Sequence, residues 1–192
     1  MPSPLPGNMM PVLSSRRWLT LSPGAVDTLK LIALMAMLVD HANTILMPVP
    51  RMELYALGRA AFPLFTLIWA LQVTRAPERL QIRANRLWIW ALLTQPVFSL
   101  AFRGHVPWYA LNILFVFAAA TQLLSWYHRN GTRGLIPGMA LIMLLMWPLM
   151  PASYGLPGMM LALSLAIGFS DFTFPGKQAL GAVAFCSLLM LN

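Results

Sequence analysis

Residues 22–47, SPGAVDTLKLIALMAMLVDHANTILM, decide the fold of this 192-residue chain. Ser22 can cap free amide groups and Pro23 is pre-set for a first helical turn, so a helix is expected to start here. The run from Gly24 to Met47 is long and apolar enough for a bilayer core of about 30 Å, which roughly 20 residues cross at about 1.5 Å each. The same stretch nevertheless carries Asp27, Lys30, Asp40, His41 and Thr44. At about 100° per residue these fall within an arc of about 140°, while Leu31, Ile32, Leu38 and Val39 fill other directions. One charge at the bilayer centre costs about 3 kcal/mol on insertion scales, so the arc is expected to face protein or water.

The rest of the chain agrees with a life in lipid. It is 59% hydrophobic and only 9% charged, whereas a soluble domain carries about a quarter charged residues. A soluble globule is excluded, and the length leaves no room for a soluble catalytic domain beside the crossings. Apolar runs between Pro, Gly and Arg punctuation predict helices near 25–47, 54–73, 86–102, 109–127, 134–150, 155–169 and 178–191. The fold expected is an all-α polytopic bundle of about seven transmembrane helices in a phospholipid membrane, with six to eight as the range because the last two are short. Residues 25–192 read as one domain. Residues 1–24 read as a basic, proline-rich tail with Arg16 and Arg17 and no apolar core, so the first helix is expected to be an uncleaved anchor.

The net charge of +8 does not imply nucleic acid in such a chain, because Lys and Arg collect in cytoplasmic loops. Nine of them fall in the tail and the second, fourth and sixth loops, against Arg51 and Arg103 in the others. The N-terminus is therefore expected in the cytoplasm. Cys186 is the single cysteine, which excludes an internal disulfide and multi-cysteine metal motifs. With His105 and His128 at opposite faces, no metal is expected.

Topology then sorts the polar arc by depth. Asp27 and Lys30 lie near the cytoplasmic start, and Asp40 and His41 about 20 Å further on, in the outer half. Arg59 returns to a comparable level on the second helix, so Asp40, His41 and Arg59 can meet, with His41 a candidate general base. A cluster that only locks two helices together is the alternative. Pro63 removes a hydrogen bond and exposes a carbonyl nearby. Asn112 is expected to open the fourth helix at a similar depth, and Tyr154-Gly155 to lie in the outer fifth loop.

Asp27-xx-Lys30, Met37-Leu38-Val39-Asp40-His41 and Gly58-Arg59-Ala60-Ala61-Phe62-Pro63-Leu64-Phe65 together resemble the signature of the TraX family, including its TrbP-type relatives. Asn112-Ile113-Leu114-Phe115 resembles that family's Asn-containing fourth helix. Ser153-Tyr154-Gly155 resembles a segment expected to read Asp-Tyr-Gly, with Ser153 in place of the aspartate. The chain also looks shorter than typical members. The resemblance implies a multi-pass enzyme of the bacterial inner membrane that acetylates the N-terminus of a conjugative pilin subunit, with acetyl-CoA as donor. It implies catalysis by Asp40, His41 and Arg59, with His41 a base or a covalent nucleophile, and substrate contacts from Asp27, Lys30, Asn112 and Tyr154. Arg75, Arg79, Arg83 and Arg86, spaced by four, four and three, would form one helical stripe able to meet the donor's phosphates. A proton- or solute-coupled transporter, or a pilin-processing or assembly factor without acetyl transfer, are the rival readings.

Overall fold

A computed structural model describes residues 21–170 and 177–191. Most of the expected tail, including Arg16 and Arg17, lies outside the described residues. The described chain is helical: α1 (Pro23–Leu46), α2 (Met52–Arg59), α3 (Ala61–Arg75), α4 (Leu80–Ala101), α5 (Leu114–Asn130), α6 (Leu135–Leu149), α7 (Gly155–Phe169) and α8 (Lys177–Met190). The start of α1 agrees with the expectation, with Ser22 Oγ accepting from the Ala25 amide at 3.2 Å.

Three boundaries differ, each for a local reason. The expected second helix is bent into α2 and α3 at Ala60, because Pro63 has no N–H for the Arg59 carbonyl and its ring crowds that carbonyl. The eight described helices thus form seven rods. Pro77 ends α3 and opens a 3-10 turn, Pro77–Arg79, that winds straight into α4 six residues ahead of the expected start. α5 begins only at Leu114, whose amide donates to Asn112 Oδ1 at 3.0 Å, so Asn112 precedes the helix and caps it.

Pro23–Leu46, Met52–Arg75 and Leu114–Leu149 are apolar and long enough to cross a membrane. The last is a hairpin. Its arms α5 and α6 turn on a 3-10 segment, Gly131–Gly134, and a Cβ at Gly134 would lie 2.1 Å from the Trp126 carbonyl oxygen. The surface argues for lipid as well. α1 buries Val26, Ala33, Ala36 and Asn43 but leaves Leu31, Ile32, Met35 and Leu38 more than half exposed, an arrangement stable only where the surroundings are apolar. This is a membrane protein.

The core forms where α3, α5 and α7 meet, around Phe62, Trp69, Phe115, Phe117 and Leu161. Trp69 Nε1 donates to Thr121 Oγ1 at 2.9 Å, satisfying a buried indole. α4 is held to α5 by Gln81 and Gln122, which exchange amide bonds at 3.2 and 3.1 Å, and by Ser125 Oγ donating to Gln81 Oε1 at 3.0 Å. Because successive rods alternate in direction, the α1–α2, α4–α5 and α6–α7 connections and the end of α8 gather at one end. His41 meets Phe102 there, the Leu111 amide donates to the Pro148 carbonyl at 3.0 Å, and Arg59 reaches Leu191.

Candidate functional site

α1 packs on α2 and α3 through its smallest side chains. Ala33 and Ala36 are buried, and their small volume lets the backbones approach as small residues do between membrane helices. Asp40 continues that seam and lands on Gly58. A Cβ at Gly58 would lie 2.1 Å from Asp40 Cβ and 2.5 Å from its Cγ and Oδ1, so only glycine allows the carboxylate to rest on the α2 backbone. His41 stands one residue further round the helix. Its Nδ1 is 3.7 Å from Asp40 Oδ2, close enough for electrostatic influence but too long for a hydrogen bond. Its ring meets Phe102 edge to face, with centroids 4.9 Å apart.

Arg59 ends α2 beside this pair. It donates through Nη2 to Tyr55 Oη at 2.8 Å and through Nη1 to the Leu191 carbonyl, while its Cζ lies 4.7 Å from the Tyr55 ring centroid. Tyr154 closes the arrangement from the α6–α7 connection. Its backbone is left-handed, with φ 59°, and Gly155 comes next at φ 47°. That conformation costs a tyrosine about 1 kcal/mol or more, and three contacts impose it. Ser153 Oγ donates to the Leu111 carbonyl at 2.5 Å, the Tyr154 ring stacks on Phe62 at 4.5 Å, and Gly158 leaves room for both rings, since a Cβ there would meet Tyr154 Cβ at 2.9 Å. Burial raises the Tyr154 phenol above its ordinary pKa; the Asp40 charge adds to this and Arg59 partly offsets it. The phenol is therefore a protonated donor at neutral pH.

Three buried atoms in this group lack a hydrogen-bond partner among the described residues: Asp40 Oδ1, His41 Nδ1 and Arg59 Nε. Native interiors rarely leave such groups unpaired. An acceptor, a ring nitrogen and a cationic donor gathered at one end of α1 and α2 are a set able to hold an amine and a polarised carbonyl together. Beyond Phe102, which packs on Phe98 at 4.9 Å, an open cavity of about 380 Å³ is lined by Phe98, Arg103, Val106 and Trp108.

The remaining expected residues lie elsewhere. Asp27 and Lys30 are exposed and pair with each other at 2.9 Å, outside the packed face of α1. The arc thus divides between the packed face at Asp40 and the exposed surface at Asp27 and Lys30, and the small side chains set which part is packed. Arg75 ends α3, Arg79 sits in the 3-10 turn, and Arg83 and Arg86 are on α4. They share one end of the protein, but the break at Pro77 cuts Arg75 off from Arg79, Arg83 and Arg86, which alone keep the helical spacing. Arg83 is turned inward and donates to the Gln72 carbonyl, and Arg79 pairs with Glu78 at 4.0 Å. Asn112 is committed to the fold, with its amide nitrogen donating to the Ala91 carbonyl at 3.0 Å and to Gln95 Oε1 at 3.0 Å. Sequence reasoning missed Tyr55, Phe102 and Leu191, and it quoted Gly58 without a role. A glycine beside an arginine inside an apolar helix was the available signal for a close approach.

No solved structure matches the chain. A protein-family model described as TraX protein matches residues 25–190. The chain is similar to a protein named Protein TraX from Escherichia coli strain K12, with 44% identity over 146 residues, covering 74% of this chain and 56% of that one. It is similar also to a Protein TraX from Escherichia coli, with 41% identity over 176 residues, covering 91% of this chain and 67% of that one. The chain thus spans about three fifths of the length of these curated relatives. The family match takes in both halves of the site, Asp40-His41 on α1 and Gly58-Arg59 on α2, and with these identities it establishes that the chain belongs to the TraX family.

Proposed function

We propose that the chain is a multi-pass acetyltransferase of the bacterial inner membrane that acetylates the N-terminus of a conjugative pilin subunit, with acetyl-CoA as donor. The observation that carries this reading is the trio of unpartnered atoms, Asp40 Oδ1, His41 Nδ1 and Arg59 Nε. The distribution of Lys and Arg favours an N-terminus in the cytoplasm, with the Asp40 end outward. There a membrane-anchored subunit, once processed, would present its new amino terminus. The donor is cytoplasmic, and the opposite end of the bundle carries Arg75, Arg79 and Arg86 exposed, cations suited to phosphates. Asp27 and Lys30 lie on the same end of α1 and would border the donor's path.

In this mechanism Asp40 holds the acceptor amine through Oδ1, and His41 removes a proton from it. The amine nitrogen bonds to the acetyl carbonyl carbon while the Arg59 Nε–H stabilises the oxygen that gains charge. The carbon–sulfur bond then breaks, and the departing thiolate takes up the proton from His41. Arg59 is preferred to Asn112 for the oxygen because the Asn112 amide is already bonded to α4. Tyr154 donates to the acceptor's first carbonyl, and the cavity beyond Phe102 seats the residues after it.

The test is intact-mass analysis of pilin produced with and without the chain. A gain of one acetyl group on its amino terminus, lost on His41→Ala or Asp40→Asn while the variants still insert, supports the mechanism. Unmodified pilin with altered yield would instead identify an assembly factor, and proton-coupled solute uptake a transporter.

A further inference from the structure

A guanidinium beside a carboxylate in a poorly screened interior is expected to close onto it, since opposite charges about 4 Å apart attract by about 4 kcal/mol at an effective dielectric of 20. Arg59 is the residue after Gly58, on whose backbone the Asp40 side chain rests, and Asp40 Oδ1 has no partner among the described residues. Even so, no Arg59–Asp40 ion pair forms among those residues; the neighbour of Asp40 is His41. Arg59 is held elsewhere by two acceptors. One is Tyr55 Oη, a turn earlier on α2, at 2.8 Å. The other is the carbonyl of Leu191, 132 residues away, at the end of α8.

The acceptor on α8 is itself buried and fixed. Leu191 is 5% exposed, and its amide donates back to the Ser187 and Leu188 carbonyls at 3.2 and 3.3 Å, so the acceptor sits on a closed helical turn. A backbone carbonyl carries partial negative charge and accepts a hydrogen bond from a cation readily. With Nη1 and Nη2 each bonded to one of these acceptors, Nε is the guanidinium nitrogen left without a partner among the described residues.

We propose that the last turn of α8 is a latch on the site, holding Arg59 together with Tyr55 so that Arg59 and Asp40 stay apart and both remain available to substrate. When α8 lifts, Arg59 turns onto Asp40, the two charges cancel and the site closes. Tyr55 and Leu191 are positioning residues here, acting only through Arg59. The inference rests on the reading of Asp40 and Arg59 as site groups, but its physical test needs no acetyl transfer.

Hydrogen–deuterium exchange of the full chain in lipid nanodiscs, read at the α8 amides 188–191, provides that test. Tyr55→Phe keeps the ring beneath Arg59 but removes one acceptor. Exchange in the last turn should then quicken about tenfold as the guanidinium leaves Leu191 for Asp40. Adding Asp40→Asn removes the competing charge and should return the turn to its original protection. A nitroxide on the native Cys186, which is exposed on α8, should report the same loosening and rescue. Unchanged exchange in Tyr55→Phe, or equal loosening in the single and double variants, would overturn the latch. Failure of the wild-type chain to acetylate pilin would instead remove the enzymatic reading and leave the exchange result standing.

Discussion

Replacing Gly58 by alanine adds one methyl group where the structure has no room for it. The new carbon would lie 2.1 Å from Asp40 Cβ and 2.5 Å from Asp40 Cγ, whereas apolar carbons rest at about 3.5–4.0 Å. Either α1 and α2 separate by about 1.5 Å at this level, or the Asp40 carboxylate rotates off Gly58; overpacking of this kind costs about 1–3 kcal/mol. The stability loss is thus modest, but a displacement of about 1 Å at a reacting group lowers turnover about 100-fold. The assay is the rate of pilin acetylation by intact mass, paired with thermal unfolding in detergent. Gly181→Ala on α8 is the control, because nothing lies within 4 Å of a Cβ there, and alanine should be neutral or stabilising by about 0.5–1 kcal/mol. Gly58→Ala with a wild-type rate and unchanged stability would refute both the close approach and the role given to Asp40.

Asn112→Ala breaks the bonds that tie the start of α5 to α4 and the one its side chain accepts from the Leu114 amide. It should lower stability by about 1–3 kcal/mol while the folded fraction keeps its kcat; a lost kcat at full stability would instead place Asn112 at the substrate. Gln81→Leu or Gln122→Leu alone should destabilise by about 1–3 kcal/mol by orphaning the other amide, whereas the double variant should recover most of the loss. Equal losses in single and double variants, by thermal unfolding, would contradict the paired bonds. Cysteines at Gly104 and Gly131 in a Cys186→Ser background should differ in labelling by an impermeant thiol reagent on intact cells. Labelling is expected only at Gly104; the reverse pattern would invert the topology.

The features legible in the sequence were those that short segments govern by themselves. Ser22-Pro23 announces α1 because a cap and a first-turn proline act over three residues, and Pro63 and Pro77 mark real interruptions. The positions of those interruptions were harder to foresee, since a missing hydrogen bond acts a turn upstream of the proline that causes it. Periodicity misled where it assumed an unbroken helix, as with Arg75, which the break at Pro77 separates from the three later arginines. The polar arc of α1 did not by itself mark the packed face, because polarity predicts what avoids lipid, whereas side-chain size decides how near two helices can come; Ala33, Ala36 and Gly58 set the seam. Asp40, His41, Arg59 and Tyr154 were legible as polar groups at one depth. The Leu191 carbonyl was not, because a backbone acceptor leaves no trace in residue type and its placement depends on how α8 returns to α2.

The interruption at Ala60 has a main-chain result as well as a geometric one. Pro63 has no N–H to offer the Arg59 carbonyl, so that carbonyl is released from the helical ladder. The α2 and α3 dipoles meet end to end there and largely cancel, which leaves the released carbonyl as the local feature. It lies one residue from Gly58, on whose backbone Asp40 rests. Under the proposed function, an acceptor amine bound by Asp40 would find in this carbonyl a second hydrogen-bond acceptor supplied by the backbone alone.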